Sequence, residues 1–221
     1  MIYLDSGATT LQKPPAVAQQ VQSAMRSCAT PGRGGHAPAM RAAEAVYGCR
    51  VLAGQLFDAP PEQVVFTMNA THALNLAIKT LVRPGDRVVI SGFEHNAVTR
   101  PLYHTGAEIV VAGTRLFDPE DTIESFRKAV TADTKAVVCT HVSNVFGYIL
   151  PVEEMAALCR EQGVPFILDA AQSAGTLPVK LNALGAEFIA APGHKGLLGP
   201  QGIGGFVLGP DLASQIEPLI A

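Results

Sequence analysis

Seven short runs of apolar, β-prone residues recur along the chain: Val64 to Thr67, Val88 to Ser91, Glu108 to Val111, Lys135 to Thr140, Pro165 to Ala170, Phe188 to Ala191 and Gly205 to Leu208. Each has the length of a strand. Helix-like stretches separate most of them, among them Thr71 to Leu81, Pro119 to Val130 and Val152 to Gln162. This alternation predicts an α/β domain built on a mostly parallel, mixed sheet of about seven strands flanked by helices. The runs are close to continuously hydrophobic rather than strictly alternating, which suits strands covered on both faces.

Two further helical stretches, 14 to 27 and 38 to 57, precede the first run, and Pro31-Gly-Arg-Gly-Gly35 forms a loop between them. No repeat, low-complexity tract or internal boundary divides the 221 residues, so a single domain over 1–221 is expected. Nothing in a net charge of −3 without runs of like charge calls for nucleic acid or an anionic membrane. The N-terminus lacks a signal-like segment and no apolar stretch nears the ~20 residues of a bilayer span, so a cytoplasmic location and small-molecule partners are expected. Cys28, Cys49, Cys139 and Cys159 form no Cys-x-x-Cys pair and are read as free thiols, with Cys139 a small buried hydrophobe. Cys139 and His141, two apart on a strand, supply at most two ligands, so no metal site is expected.

In parallel α/β sheets ligands bind beyond the carboxyl ends of the strands, and five successive runs here end in polar residues. Met68-Asn-Ala-Thr-His72 follows the first, Gly92-Phe-Glu-His-Asn96 the second and His141-Val-Ser-Asn144 the fourth. Asp169-Ala-Ala-Gln172 closes the fifth, and Gly193-His-Lys195 follows the sixth. Ala70 and Thr71 open a helix whose first N–H groups and dipole suit a phosphate, although Asn69 or Thr71 as a plain helix cap explains the same residues. Asp169 ends an apolar strand, where a carboxylate needs a cation or several donors, or else serves as another cap. His95 is a planar group able to stack on an aromatic ligand or to carry a proton. Lys195 stands among glycines that are expected to let another molecule approach the backbone; deprived of water, its amine loses a proton more readily and becomes a nucleophile. A phosphate cradle, a buried aspartate, a stacking histidine and a lysine together match the needs of pyridoxal phosphate, whose aldehyde bonds a lysine and whose ring nitrogen pairs with a carboxylate.

At these residues the chain resembles the class V aminotransferase family of fold-type I pyridoxal phosphate enzymes, and within it the cysteine desulfurases and selenocysteine lyases. The motifs that carry the resemblance are Tyr3-Leu-Asp-Ser-Gly-Ala-Thr-Thr10, Arg33-Gly-Gly-His36, Asn69-Ala-Thr-His-Ala-Leu-Asn75, Glu94-His-Asn-Ala97, Val142-Ser-Asn-Val-Phe-Gly147, Asp169-Ala-Ala-Gln172 and Gly193-His-Lys195. The resemblance implies the large, cofactor-binding domain of such an enzyme, with pyridoxal 5'-phosphate in a Schiff base to Lys195. Lys195 and His95 would be the catalytic pair, Lys195 moving the substrate α-proton and His95 stacking on the ring. Asp169 would meet the pyridinium nitrogen, Gln172 the phenolic oxygen and Asn144 the cofactor or substrate. Ala70, Thr71 and His194 would hold the phosphate, with His72 in the same cofactor-binding set.

Pro192 stands where many members have a phosphate-binding serine or threonine, so that contact is expected to be missing. The C-terminal small domain of the family, with its carboxylate-binding arginine and desulfurase cysteine, is not represented in the 221 residues, and residues 1–13 would pack with it. The implied reaction removes sulfur from L-cysteine, leaving alanine and an enzyme-bound persulfide. The implied partners are a second copy of the full-length chain in a homodimer and a sulfur-acceptor protein. An aminotransferase, a kynureninase-like hydrolase, another lyase of β-substituted amino acids, and a non-catalytic cofactor-binding fragment are the alternatives.

Overall fold

The computed structural model describes residues 2–213. Their elements in chain order are α1 (Pro15–Ser27), α2 (Ala37–Phe57), β1 (Val64–Thr67), α3 (Ala70–Leu81), β2 (Arg87–Ser91), α4 (Asn96–Thr105), β3 (Glu108–Ala112), α5 (Pro119–Ala129), β4 (Thr134–Thr140), α6 (Val152–Gln162), β5 (Phe166–Asp169), α7 (Leu181–Leu184), β6 (Phe188–Pro192), β7 (Gly204–Leu208) and α8 (Pro210–Ala213). The seven expected strands are all present, each within a residue of its expected limits. They form one sheet in the order β1-β7-β6-β5-β4-β2-β3. β7 runs antiparallel to both neighbours and every other pair is parallel, which makes the sheet mixed.

Successive strand residues point to opposite faces, so each apolar run is divided between two cores. Val88, Ile90, Ala136, Val138, Ile167 and Phe188 pack on one face against Leu74, Ala77, Ile78 and Leu81 of α3 and Val98 and Leu102 of α4. Val89, Val137, Cys139, Leu168 and Ile189 point the other way, toward Phe126 of α5, Met155, Leu158 and Cys159 of α6 and Phe57 of α2. Cys139 is fully buried and all four thiols are free, as expected.

Local signals fix where the helices begin. Asp118 accepts from Asp121 N at 2.9 Å to cap α5, Pro119 follows, and acidic residues in the first turn and Arg127 and Lys128 in the last complement the helix dipole. Not foreseen as a helix was α4, which is only ten residues long and contains Pro101. Its start is fixed by His95, whose Nδ1 accepts from Ala97 N at 3.1 Å, and its end by Gly106 at φ 76°.

The topology positions the site. From β2 the chain moves outward through α4 to β3, then returns over β2 to lay down β4 on its other side. Connections therefore diverge between β2 and β4, and the carboxyl ends of the strands are left open as a crevice there. No helix among the described residues is long and apolar enough to cross a membrane.

Candidate active site

A cavity of about 230 Å3 occupies this crevice. Eight of the nine residues singled out in the sequence line it: Ala70, Thr71, His95, Asn144, Asp169, Gln172, His194 and Lys195. His72 is not among the lining residues. Its backbone N–H is taken by the Asn69 side chain at 2.8 Å, and its Nδ1 is buried without a partner among the described residues.

The start of α3 forms one wall of the cavity. Asn69, in extended conformation, caps the helix through His72 N, and its carbonyl accepts from Thr67 Oγ1 at 2.8 Å. The N–H groups of Ala70 and Thr71 find no acceptor among the described residues and border the cavity. The capping and anion-binding readings of this segment are thus compatible, because the cap uses the third amide and leaves the first two. His194 and Pro192 line the same cavity; Pro192, the last residue of β6, brings no hydroxyl.

Asp169 ends β5 and is 2% exposed. Its Oδ1 accepts from Ala171 N at 2.9 Å. Burial raises its pKa above the ordinary carboxylate value, against the lowering influence of the Ala171 N–H, His95 and Lys195. Lys195, half-buried, has its pKa lowered by loss of water, with the Asp169 charge opposing. Burial is the largest cause of each shift and the two charges oppose it, so a carboxylate and an amine face one cavity and partly compensate each other.

Lys195 follows β6 on a tightly folded loop. Gly193 N donates to Ile203 O at 2.8 Å and Leu198 N to Lys195 O at 3.0 Å. The glycines here serve the chain's own packing rather than the approach of a ligand: a Cβ on Gly196 would lie 2.3 Å from the Ala174 carbonyl oxygen, and one on Gly199 2.9 Å from that of Gly193. Close backbone contact with the segment after β5 fixes the position of Lys195 relative to Asp169.

Residues 7–13 cross the site from the amino-terminal side. Thr10 N and Thr9 Oγ1 donate to His194 O at 3.0 and 3.1 Å, and Gln172 Nε2 donates to Gly7 O at 3.1 Å. Thr9 Oγ1 also lies 3.1 Å from His194 Nδ1. The Asp-Ser-Gly-Ala-Thr-Thr motif therefore contacts two predicted cofactor residues.

Sequence reasoning missed Glu94 as a contributor. Its Oε1 accepts from Thr140 N at 2.8 Å and from Ser91 Oγ, while Oε2 is buried without a partner among the described residues. No local pattern marks it, because Thr140 is 46 residues away. A second cavity, of about 270 Å3, lies between α2 and strands β1, β6 and β7. Its lining includes no titratable side chain, so no acid–base chemistry belongs to it.

The α/β sheet thus gathers an amine, a buried carboxylate, an imidazole and a helix N-terminus on one cavity at its switch point. The aminotransferase class-V family model matches residues 2–221, and the chain belongs to that family. It is 32% identical over 225 residues, 99% of its length, to a "probable cysteine desulfurase" of Methanothermobacter thermautotrophicus. All of the chain superposes on 56% of a cysteine desulfurase from Thermococcus onnurineus NA1, with a TM-score of 0.91 and 30% identity. SspA in complex with cysteine gives a TM-score of 0.88 at 26% identity, over 100% of this chain and 65% of that one. The chain spans about half the length of the curated relatives it matches, 56% in the first case.

Proposed function

We propose that the chain is the pyridoxal phosphate-binding part of a cysteine desulfurase-like enzyme that takes L-cysteine as substrate. The observation that carries this reading is the placement of Lys195 and Asp169 on one cavity that the start of α3 also lines. Similarity over the whole chain to cysteine desulfurases, and to a protein with cysteine bound, supports the choice of substrate.

Bound there, pyridoxal phosphate would supply an aldehyde for the substrate amine and an electron-accepting ring. Ala70 N, Thr71 N, the Thr71 hydroxyl and His194 would hold its phosphate, Asp169 its protonated ring nitrogen, and Gln172 its phenolic oxygen. Asn144 reaches the same cavity and would contact cofactor or substrate. Lys195 would anchor the aldehyde and, once displaced by substrate, take the proton from Cα; the lowered pKa favours the neutral amine that this requires. His95, capping α4 at the rim, would cover one ring face. In the net reaction the Cβ–S bond of L-cysteine breaks, the sulfur passes to a thiol as a persulfide, and Cβ takes that thiol's proton to give alanine. No cysteine lines the cavity among the described residues, so the accepting thiol comes from elsewhere. The reading includes a homodimer, a sulfur-acceptor protein and a cytoplasmic setting.

The test is to add pyridoxal phosphate to the purified chain and follow the visible band of the lysine-bound chromophore in wild type and Lys195→Ala. A band in wild type that the variant lacks is expected, and identical spectra would refute the reading. Product analysis with L-cysteine separates desulfuration, which yields alanine, from transamination, which yields a keto acid.

A further inference from the structure

The pairing of β2 with β4 stops at Ile90↔Val138, whereas β4 continues beside β5 as far as Thr140↔Asp169. The N–H of Thr140 therefore extends past the last rung that β2 supplies. Glu94, three residues beyond the end of β2, fills that gap: its Oε1 receives Thr140 N at 2.8 Å and Ser91 Oγ. Ser91 Oγ in turn accepts from Phe93 N at 3.2 Å, so the whole turn from 91 to 94 is tied to the end of β4. The next residue is His95 and the register partner of Thr140 is Asp169, the two groups expected on the face and nitrogen of the ring.

We propose that Glu94 is a positioning residue of the ring slot, one carboxyl oxygen spacing the ends of β2 and β4 so that His95 is held at a fixed height above Asp169. The inference rests on the cofactor reading above. Burial pushes the Glu94 carboxyl up to about 8, chiefly by desolvation, with the Ser91 and Thr140 hydrogen bonds opposing and Asp169 reinforcing. The neutral acid is therefore the form that spaces the strands near pH 7, and it adds no second negative charge beside Asp169. The groups facing it are Asp169 from β5, Cys139 from β4 and Ser91 from β2, with His95 adjacent on its own turn. Glutamine is a close match to that neutral form: it keeps the accepting oxygen and replaces Oε2 with an amide.

The experiment compares wild type, Glu94→Ala and Glu94→Gln in the 221-residue chain, first without cofactor and then with pyridoxal phosphate. Without cofactor, amide hydrogen exchange at Thr140 and over residues 92–97 is measured; Glu94→Ala is expected to exchange at least tenfold faster there while Glu94→Gln stays near wild type. With cofactor, Glu94→Ala is expected to weaken the dissociation constant about tenfold, the scale of one lost buried hydrogen bond, and to shift the pH midpoint of the visible band. Glu94→Gln is expected to recover most of both. A folded Glu94→Ala with wild-type exchange, affinity and midpoint would overturn the proposal, as would a Glu94→Gln as impaired as the alanine variant. Should Glu94→Ala not fold, Ser91→Ala removes one of the two donors, and an unchanged affinity and midpoint there would overturn it equally. A wild-type chain with no visible band would refute the cofactor reading itself, a result distinct from any difference among the variants.

Discussion

At the scale of single residues, the site is held together by groups that are costly on their own. Asp169 and Glu94 are both carboxyls whose pKa burial raises, and neither has a full set of donors. A carboxyl with a raised folded-state pKa keeps its proton when the unfolded chain has already released it. Its contribution to stability is therefore fully present below the unfolded value and is lost as pH rises through the folded one. For Glu94 the window runs from 4.5 to about 8. Across it the cofactor-free chain should lose up to ~5 kcal/mol relative to Glu94→Gln, which does not titrate. Urea unfolding of both proteins between pH 5 and 9 checks this, and parallel pH profiles would show that the carboxyl is ionised or well solvated. Asp169→Asn should flatten the profile in the same direction while weakening the cofactor, because the amide cannot pair with a protonated ring nitrogen as an ion.

The elements supply the geometry, and α3 separates stability from ligand binding most cleanly. Asn69→Ala removes the cap and should cost about 1 kcal/mol. Asn69→Asp keeps an accepting oxygen for His72 N and favours the helix dipole, so stability should hold or rise, yet it places a carboxylate on the wall where, on the proposed reading, the phosphate would sit. At an effective dielectric constant near 20 that repulsion is worth ~2 kcal/mol, a loss of more than tenfold in pyridoxal phosphate affinity. Thermal unfolding and equilibrium dialysis on the two variants should thus move in opposite directions. The loop that carries Lys195 makes a different demand: Gly196→Ala meets the Ala174 carbonyl oxygen and should cost ~1–3 kcal/mol through overpacking. The strands and most helices were legible in the sequence because apolar runs and caps are local, as was the ring of polar strand ends, since strand polarity in an α/β sheet dictates where they gather. The α4 helix was hidden by Pro101 at its centre and by a histidine in place of the usual cap. Glu94 was hidden because its role depends on where β2 stops relative to β4, and the purpose of the glycines after Lys195 because it depends on a backbone contact across the fold.

For the molecule as a whole, the cavity is where two cores and five elements meet: the starts of α3 and α4 and the ends of β4, β5 and β6 all border it. A ligand that contacts all of them should stabilise the folded chain as one unit rather than order one loop. At a free concentration 100 times its dissociation constant, such a ligand contributes about 2.7 kcal/mol, which for a chain of this size raises the melting temperature by roughly 5–10 °C. Two parts of that gain are separable. Lys195→Ala retains the amide cradle, Asp169 and Gln172 and loses the covalent anchor; wild type given pyridoxine phosphate, which has no aldehyde, is in the same position. Differential scanning calorimetry at matched ligand concentrations should give these two combinations the same reduced rise, smaller than that of wild type with pyridoxal phosphate. A full rise for Lys195→Ala with pyridoxal phosphate would place the anchor elsewhere. No rise for wild type with pyridoxine phosphate would mean that the α3 amides and Asp169 bind too weakly to hold the ring before the lysine reacts.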